Sequence, residues 1–557
     1  MNDNNSTTAK AERLSDNQKL DRQWKEIDWK QVEDEVNRLQ FRIAKATQEK
    51  RWNKVKRLQY LLTHSHYAKL MAVRKVTTNK GKRTPGIDNK TWSTPSSKMG
   101  AAMALTDKNY KSKPLRRVYI DKKSKKAKRP LGIPCMYDRA MQALYALALE
   151  PVAETTADTN SFGFRKYRCC QDACEQIFNV LGKEYSAQWI LEGDIKGCFD
   201  NISHDWLMKN IPMDKKILHQ FLKAGYVFKR EPFPTEAGAP QGGCISPILA
   251  NMALDGIQEM LAKRYDYGIY NRPSVHQHRK HKVNLVRYAD DFIVTASTRE
   301  TAMEVKELIK EFLTQRGLEL SEEKTEITHI DDGFDLLGWT FRKFKGKMII
   351  KPSKKSIKSF VSSTSELILQ KGIAMKQEKL IEALNLKIRG WMNYHQTVCS
   401  KKTFSSIDHI IYILLWKWAK RRHSKKSRYW IKQKYWQTIG LNNWRFTANN
   451  RVLINLAKTP IIRHPKLKIN MNPFLDKEYF DKRRYQRGVK FISGKYKAIW
   501  KRQKGLCYHC GQPMDVSKEK RIYLKIPIDI GGQKTVDNMA YIHMECKYFY
   551  TECRSKE

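Results

Sequence analysis

Leu285 to Ala296 reads as two apolar runs joined by Tyr288-Ala289-Asp290-Asp291, a β-hairpin with adjacent carboxylates at its tip. A second apolar strand, Trp189 to Ile195, enters another acid, Asp194. Taken alone, an aromatic followed by x-Asp-Asp is equally an exposed turn. Flanking strands that hold like charges together instead require a neutralising cation. Acids overlying a sheet on adjacent strands can hold two Mg2+ ions, an arrangement that serves phosphoryl transfer.

The chain has 557 residues, 41% of them hydrophobic, which is more than one core usually supports and implies several domains. Lys and Arg number 106 against 57 Asp and Glu, a formal charge of +49 that opposes compaction unless a polyanion neutralises it. Nucleic acid is the expected partner, with binding that weakens steeply in salt. The longest apolar stretch, Ile410 to Trp418, is interrupted by Lys417, so no membrane partner is expected. Met1 to Leu20 is polar and carries Asp3, Glu12 and Asp16, unlike a secretory or transit leader, which predicts a cytoplasmic protein. Most of the 11 cysteines read as small buried thiols of a reducing compartment.

Helical spacing runs from Gln31 to Met71, then a basic loop at Asn79 to Gly86. A strand around Arg129 to Pro134 leads into an apolar helix predicted to end near Pro151. Pro247 opens a helix with Leu249, Met252, Ile257, Met260 and Leu261 on one stripe. After the hairpin, Ser297 or Thr298 caps a helix closed by Gly317. Helical periodicity dominates from residue 351 to about Trp444, with tryptophans among Lys and Arg, and residues 445–500 read as a basic connector.

The expected architecture is multidomain α+β: right-hand polymerase fingers and palm with an antiparallel palm sheet, and an α-helical thumb. A basic DNA-binding segment and a small zinc module complete it. The expected boundaries are 1–75 for a helical N-terminal extension, 76–350 for fingers and palm, 351–445 for the thumb, 446–500 for the DNA-binding segment and 501–557 for the zinc module.

Further candidates surround the acids. Phe199, five residues after Asp194, is placed to floor a nucleotide pocket and exclude a ribose 2′-hydroxyl; the competing reading is a core aromatic. Gln241 and Gly242, in Pro240-Gln241-Gly242-Gly243, would let backbone lie against a base pair, or form an ordinary loop. Lys324 can reach a triphosphate or protonate pyrophosphate, against the alternative of a solvated lysine. Arg129 and Lys128 are candidate triphosphate clamps, since a guanidinium matches phosphate geometry.

In order, Asn79 to Asp88, Arg129 to Pro134, Pro240-Gln241-Gly242 and Tyr288 to Asp291 resemble the group II intron-encoded reverse transcriptases. Leu336-Leu337-Gly338-Trp339 is similar to the end of that family's palm, and Ile388 to His395 to its maturase thumb, the X domain. The resemblance implies a protein that binds its intron RNA, assists splicing and reverse splicing into target DNA, and copies the RNA from dNTPs. Asp194, Asp290 and Asp291 carry over as its Mg2+ ligands. Intact acids weigh against a splicing-only maturase, and the region after Arg389 against a non-intron bacterial enzyme.

Cys507 and Cys510, then His543 and Cys546, form two ligand pairs suited to one tetrahedral Zn2+, with Cys553 as an alternative to His543. The surroundings, including Gly531-Gly532 and Asn538, resemble the HNH endonuclease domain of many family members. Leu524 and Lys547 stand where that resemblance calls for histidines, and neither side chain can do an imidazole's work. A retained zinc fold without DNA cleavage is expected.

Overall fold

The computed structural model describes residues 15–121, 128–239, 242–268, 272–516, 520–544 and 546. Among the described residues helices mix with sheets whose strand pairs are antiparallel, apart from the parallel pairing of Leu115–Asp121 with Tyr226–Phe228. Among the described residues no helix is long and apolar enough to cross a membrane.

Helices Trp29–Gln48, Trp52–His64 and His66–Thr78 bury Val32, Val36, Ile43, Val55, Leu58 and Leu62 against the helix Met136–Thr156. That helix is buried along most of its length and does not stop at Pro151, as its sequence predicted. Proline there removes the N–H that would bond the Leu147 carbonyl. Gln40 Nε2, itself buried, donates to that carbonyl at 2.8 Å, and Gln59 Nε2 donates to the Ala148 carbonyl at 3.3 Å. Side chains from the neighbouring layer thus replace the missing backbone donor. Gln40→Leu strands a buried acceptor and should cost about 1–3 kcal/mol, read as an earlier denaturation of the N-terminal layer.

The palm sheet has four antiparallel strands, ordered Asn284–Tyr288, Asp291–Ala296, Trp189–Gly193 and Glu326–His329. Helix Arg299–Thr314 packs across it through Val305, Ile309 and Leu313, and Thr298 caps the helix by accepting from Thr301 N at 3.2 Å. The stripe after Pro247 is two helices, Ser246–Leu254 and Ile257–Tyr265, rather than one. Gly256 breaks it at φ +102°, where the Asp158 carboxylate accepts from the N–H groups of Gly256 and Gln258.

Strands Phe334–Leu336, Trp339–Phe344 and Lys347–Pro352 form a second sheet, and helices follow from Lys354 to Tyr435. Helical structure ends there, short of Trp444: Trp436–Ile439, Asn442–Ala448 and Arg451–Val452 form a three-stranded sheet. Trp436 and Phe446 turn inward onto Trp418 and Tyr435, so aromatic burial overrides helical spacing.

The segment expected as a connector is a docked layer. Its helix Lys477–Phe491 buries Phe480, Arg483, Arg484 and Arg487, and Leu467 and Phe480 join the core behind the palm. Helix Lys495–Arg502 crosses the boundary expected at residue 500, because Ile499 and Trp500 belong to the core of the cysteine module.

Candidate active site and cysteine centre

Strand register brings the acids together. Gly193 lies opposite Phe292, so Asp194 leaves its strand beside Asp291, while Tyr288 pairs with Asp291 and leaves Ala289 and Asp290 as the hairpin turn. Gly193 is required there: a Cβ would lie 2.1 Å from the Phe292 ring. Two-residue hairpin turns favour a left-handed first residue, and Ala289 has φ +60°. A non-glycine in that region costs roughly 1–2 kcal/mol. The surroundings supply the restraint: Gly163 backbone presses against Ala289, where a Cβ would come within 2.3 Å of Ala289 N. Segment 160–162 also bonds the strand edge, Phe162 N donating to Arg287 O and Arg287 N to Asn160 O, both at 2.9 Å.

Beneath the hairpin Arg287 is fully buried, ion-paired to Asp255 and donating to Asn251 Oδ1 at 3.3 Å. Nothing in the spacing of these residues announced that support.

Burial, then the charges of Asp290 and Asp194, pushes the Asp291 carboxyl up to about 6. Burial, joined by the Asp194 charge, also raises Asp290 above the usual carboxylate range. Both shifts express crowded negative charge at the hairpin tip, the condition a divalent cation relieves. Lys324, from the short turn Glu322–Lys324, forms an ion pair with Asp194. Arg129 and Lys324 partly offset the rise at Asp290, and Lys324 with Lys355, at the start of helix Lys354–Glu366, partly offset that at Asp291. Sequence reasoning gave Lys355 no role.

Of the other candidates, Arg129 is the one whose charge acts on these acids. Phe199 is half-buried in the short helix Cys198–Asn201 and meets exposed Phe164 edge-on at 6.1 Å. Ala239 N donates to the Phe199 carbonyl at 2.7 Å. Arg129 and Lys128 are exposed on the strand Lys128–Ile133, paired with Ile120 and Asp121. Gly242 has φ +115°, and a Cβ would lie 2.4 Å from Gly132 O, so its smallness serves contact with that same strand. Gln241 lies outside the described residues.

In the cysteine module, ligand atoms of Cys507, Cys510, His543 and Cys546 all lie within 4.8 Å of one another. His543 Nδ1 is 3.3 Å from Cys510 Sγ and 3.9 Å from Cys546 Sγ. A tetrahedral zinc with Zn–S of about 2.3 Å and Zn–N of about 2.0 Å needs ligand separations of roughly 3.5–3.8 Å, so the four groups can hold such an ion. Cys553 and Lys547 lie outside the described residues. Arg74 Nη2 reaches Cys546 Sγ at 3.7 Å from the N-terminal helices, where Glu33 holds it at 2.9 Å. Strands Lys520–Leu524 and Met539–His543 pair, and the Asn538 side chain pins the loop between them by bonding Ile526 N and O and Gln533 O.

A further cluster, Cys169, Asp172 and His464, also has ligand-bearing atoms within 4.8 Å. Guanidinium groups already occupy its surroundings: Arg483 pairs with Asp172, and Arg487 Nη2 lies 3.7 Å from Cys169 Sγ. It is an ion-pair network that docks helix Lys477–Phe491 onto helix Cys170–Leu181.

Comparison with known proteins follows the same division. Residues 120–341 match the family described as reverse transcriptase (RNA-dependent DNA polymerase), residues 24–105 an N-terminal domain of reverse transcriptase, and residues 357–436 the group II intron maturase-specific domain. The chain is 32% identical over 422 residues to the group II intron-encoded protein LtrA of Lactococcus lactis subsp. cremoris, covering 65% of this chain and 69% of that protein. It is 31% identical over 316 residues to protein YkfC of Escherichia coli (strain K12), covering 51% of this chain and 82% of that one. An uncharacterized 91 kDa protein in the cob intron of Schizosaccharomyces pombe is 28% identical over 423 residues, covering 61% and 51%.

Proposed function

Since the chain belongs to the group II intron-encoded proteins, with reverse transcriptase and maturase functions, we propose that Asp194, Asp290 and Asp291 hold two Mg2+ ions for RNA-templated synthesis of cDNA. The crowding of these acids at adjoining strand ends carries the reading. The bound ions would activate the primer hydroxyl and stabilise the leaving oxygen. The protein's own groups position the reactants. Arg287 and the 160–163 segment hold the hairpin, and Lys324, released from Asp194 when the acids bind metal, is placed for pyrophosphate. Arg129 and Lys128 face the triphosphate, with Gln241 and Gly242 against the nascent base pair.

Phe199 selects deoxynucleotides by filling the space of a 2′-hydroxyl. Phe199→Ala should raise ribonucleotide incorporation by about 10-fold or more, measured by competitive primer extension; unchanged selectivity would make Phe199 a packing residue only.

The helices from residue 354 form the thumb that grips intron RNA, and residues 446–500 lend exposed Lys482, Lys490 and Lys495 to target DNA. Cys507, Cys510, His543 and Cys546 bind one Zn2+ in an HNH-like fold. With Leu524 and Lys547 in place of histidines, that fold does not cut DNA, and cDNA synthesis starts without bottom-strand cleavage. The protein acts in the cytoplasm, where intron RNA and target DNA meet. Purified protein should contain one zinc per chain, Cys510→Ser should lose it, and the wild-type ribonucleoprotein should leave the bottom strand unnicked. A nick that disappears in Cys510→Ser would overturn the assignment.

A further inference from the structure

On the helix Lys401–Arg422, Tyr412 and Trp416 stand one turn apart with ring centroids at 6.4 Å and planes 30° apart. Trp444, from the strand Asn442–Ala448, meets Tyr412 edge-on at 5.7 Å and Trp416 at 6.2 Å. Arg428, Tyr429 and Lys432, from the helix Arg428–Tyr435, complete an open cleft of about 450 Å³. Every lining side chain is aromatic or cationic. Lys432 Nζ lies 5.0 Å from the Trp444 ring centre.

Two features set this cleft apart from ordinary core. Trp444 is 45% exposed and Tyr429 72% exposed, although each carries a large apolar ring. Between Lys401 and Val452, moreover, Asp408 is the single acid among many Lys and Arg, and its carboxylate is engaged by the N–H groups of Leu456 and Ala457 at 3.0 and 2.8 Å. Planar rings next to unopposed cations, with room for a base, match the chemistry of an unstacked nucleotide: the rings take a base face and the cations its phosphates. An apolar protein surface would gain nothing from the cations.

We infer that the Tyr412–Trp416–Trp444 cleft is a stacking site for an unpaired stretch of intron RNA, with Arg428 and Lys432 on its backbone. RNA is the occupant because five of the six lining residues fall within the match to the maturase-specific domain at 357–436. The inference rests on the intron-RNA reading above and adds the place and the base-stacking mode.

The test uses full-length protein and an unstructured RNA oligomer of about ten nucleotides, the same sequence as single-stranded DNA, a duplex RNA and an acidic peptide. The double variant Tyr429→Ala/Trp444→Ala removes two partly exposed rings, and Tyr429→Ala alone, at a residue 72% exposed, is the control that should keep the wild-type melting temperature and still weaken binding of the RNA oligomer. The double variant's affinity for the RNA oligomer should fall roughly 5- to 100-fold, the range expected for losing one or two stacked bases. Arg428→Gln/Lys432→Gln should lower the slope of log affinity against log salt by about one to two. Wild-type quenching of tryptophan fluorescence by the oligomer should shrink in the ring variant, which keeps Trp416 but lacks Trp444. Unchanged oligomer affinity, an equal loss for duplex RNA, tighter binding of the DNA, or capture of the acidic peptide instead would each overturn the site. Failure of the wild type to bind folded intron RNA would sink the underlying reading separately, since oligomer stacking is measured without it.

Discussion

Asp290→Asn should lower the single-turnover rate of RNA-templated cDNA synthesis by ~10³-fold or more and leave stimulation of intron splicing within about two-fold. The first number follows from losing one carboxylate of the proposed divalent-metal clamp, whose electrostatic stabilisation would be worth several kcal/mol, with each ~1.4 kcal/mol a factor of about ten. The second follows because the amide is isosteric and alters no cationic or aromatic surface. Metal-free protein supplies an internal control. Asp290 shares a crowded corner with Asp194 and Asp291, so removing one charge relieves repulsion. The variant's melting temperature without magnesium should equal or exceed that of wild type. Synthesis within ten-fold of wild type would remove Asp290 from the metal site, and loss of both activities with a lowered melting temperature would make it structural.

Asp172→Asn has the largest expected effect on stability, about 3–5 kcal/mol at pH 7. The carboxylate is almost fully buried, accepts from His464 Nε2 at 2.8 Å and pairs with Arg483, while Arg487 lies nearby. Burial by itself would raise its pKa, but the His464 hydrogen bond and the Arg483 charge outweigh it and hold the carboxyl well below its usual value. Removing the anion leaves buried guanidinium groups uncompensated, which is the expensive way to break such a pair. The sign of the pH dependence follows. A depressed folded pKa contributes stability that is present above the unfolded value near 4 and lost as pH falls through the folded one. The gap between wild type and variant should therefore be full at pH 7 and shrink in acid. Hydrogen exchange along helix Lys477–Phe491 is the measurement, because that helix is what the network docks. A change below about 1 kcal/mol would show that apolar contacts such as Phe480 hold the segment instead.

Local pattern exposed some of this design and hid the rest for identifiable reasons. Apolar runs around Asp194 and Asp291 are visible over a few residues, so strands, hairpin and acids were all legible. The continuation of a helix through Pro151 was not, because the donor that rescues the Leu147 carbonyl, Gln40, comes from a different helix. The split at Gly256 likewise depends on Asp158, far away in the chain. Around Trp436 and Trp444 the spacing fits a helix, yet burial of Trp436 and Phe446 against Trp418 and Tyr435 selects strands. Basic residues at 483, 484 and 487 looked like solvent-facing charge, and only their packing revealed them as buried ion-pair partners.

What the sequence by itself determined is where the chemistry-bearing acids and thiols sit on their elements, since apolar runs, turn residues and ligand spacing are written within a few positions of each group. Tertiary structure alone decided which cations meet those acids, Lys324 on Asp194 and Lys355 near Asp291, and which distant residues brace them, Arg287 with Asp255. Those pairings join residues remote in sequence, and their strength depends on burial and distance, neither of which exists until the chain has packed.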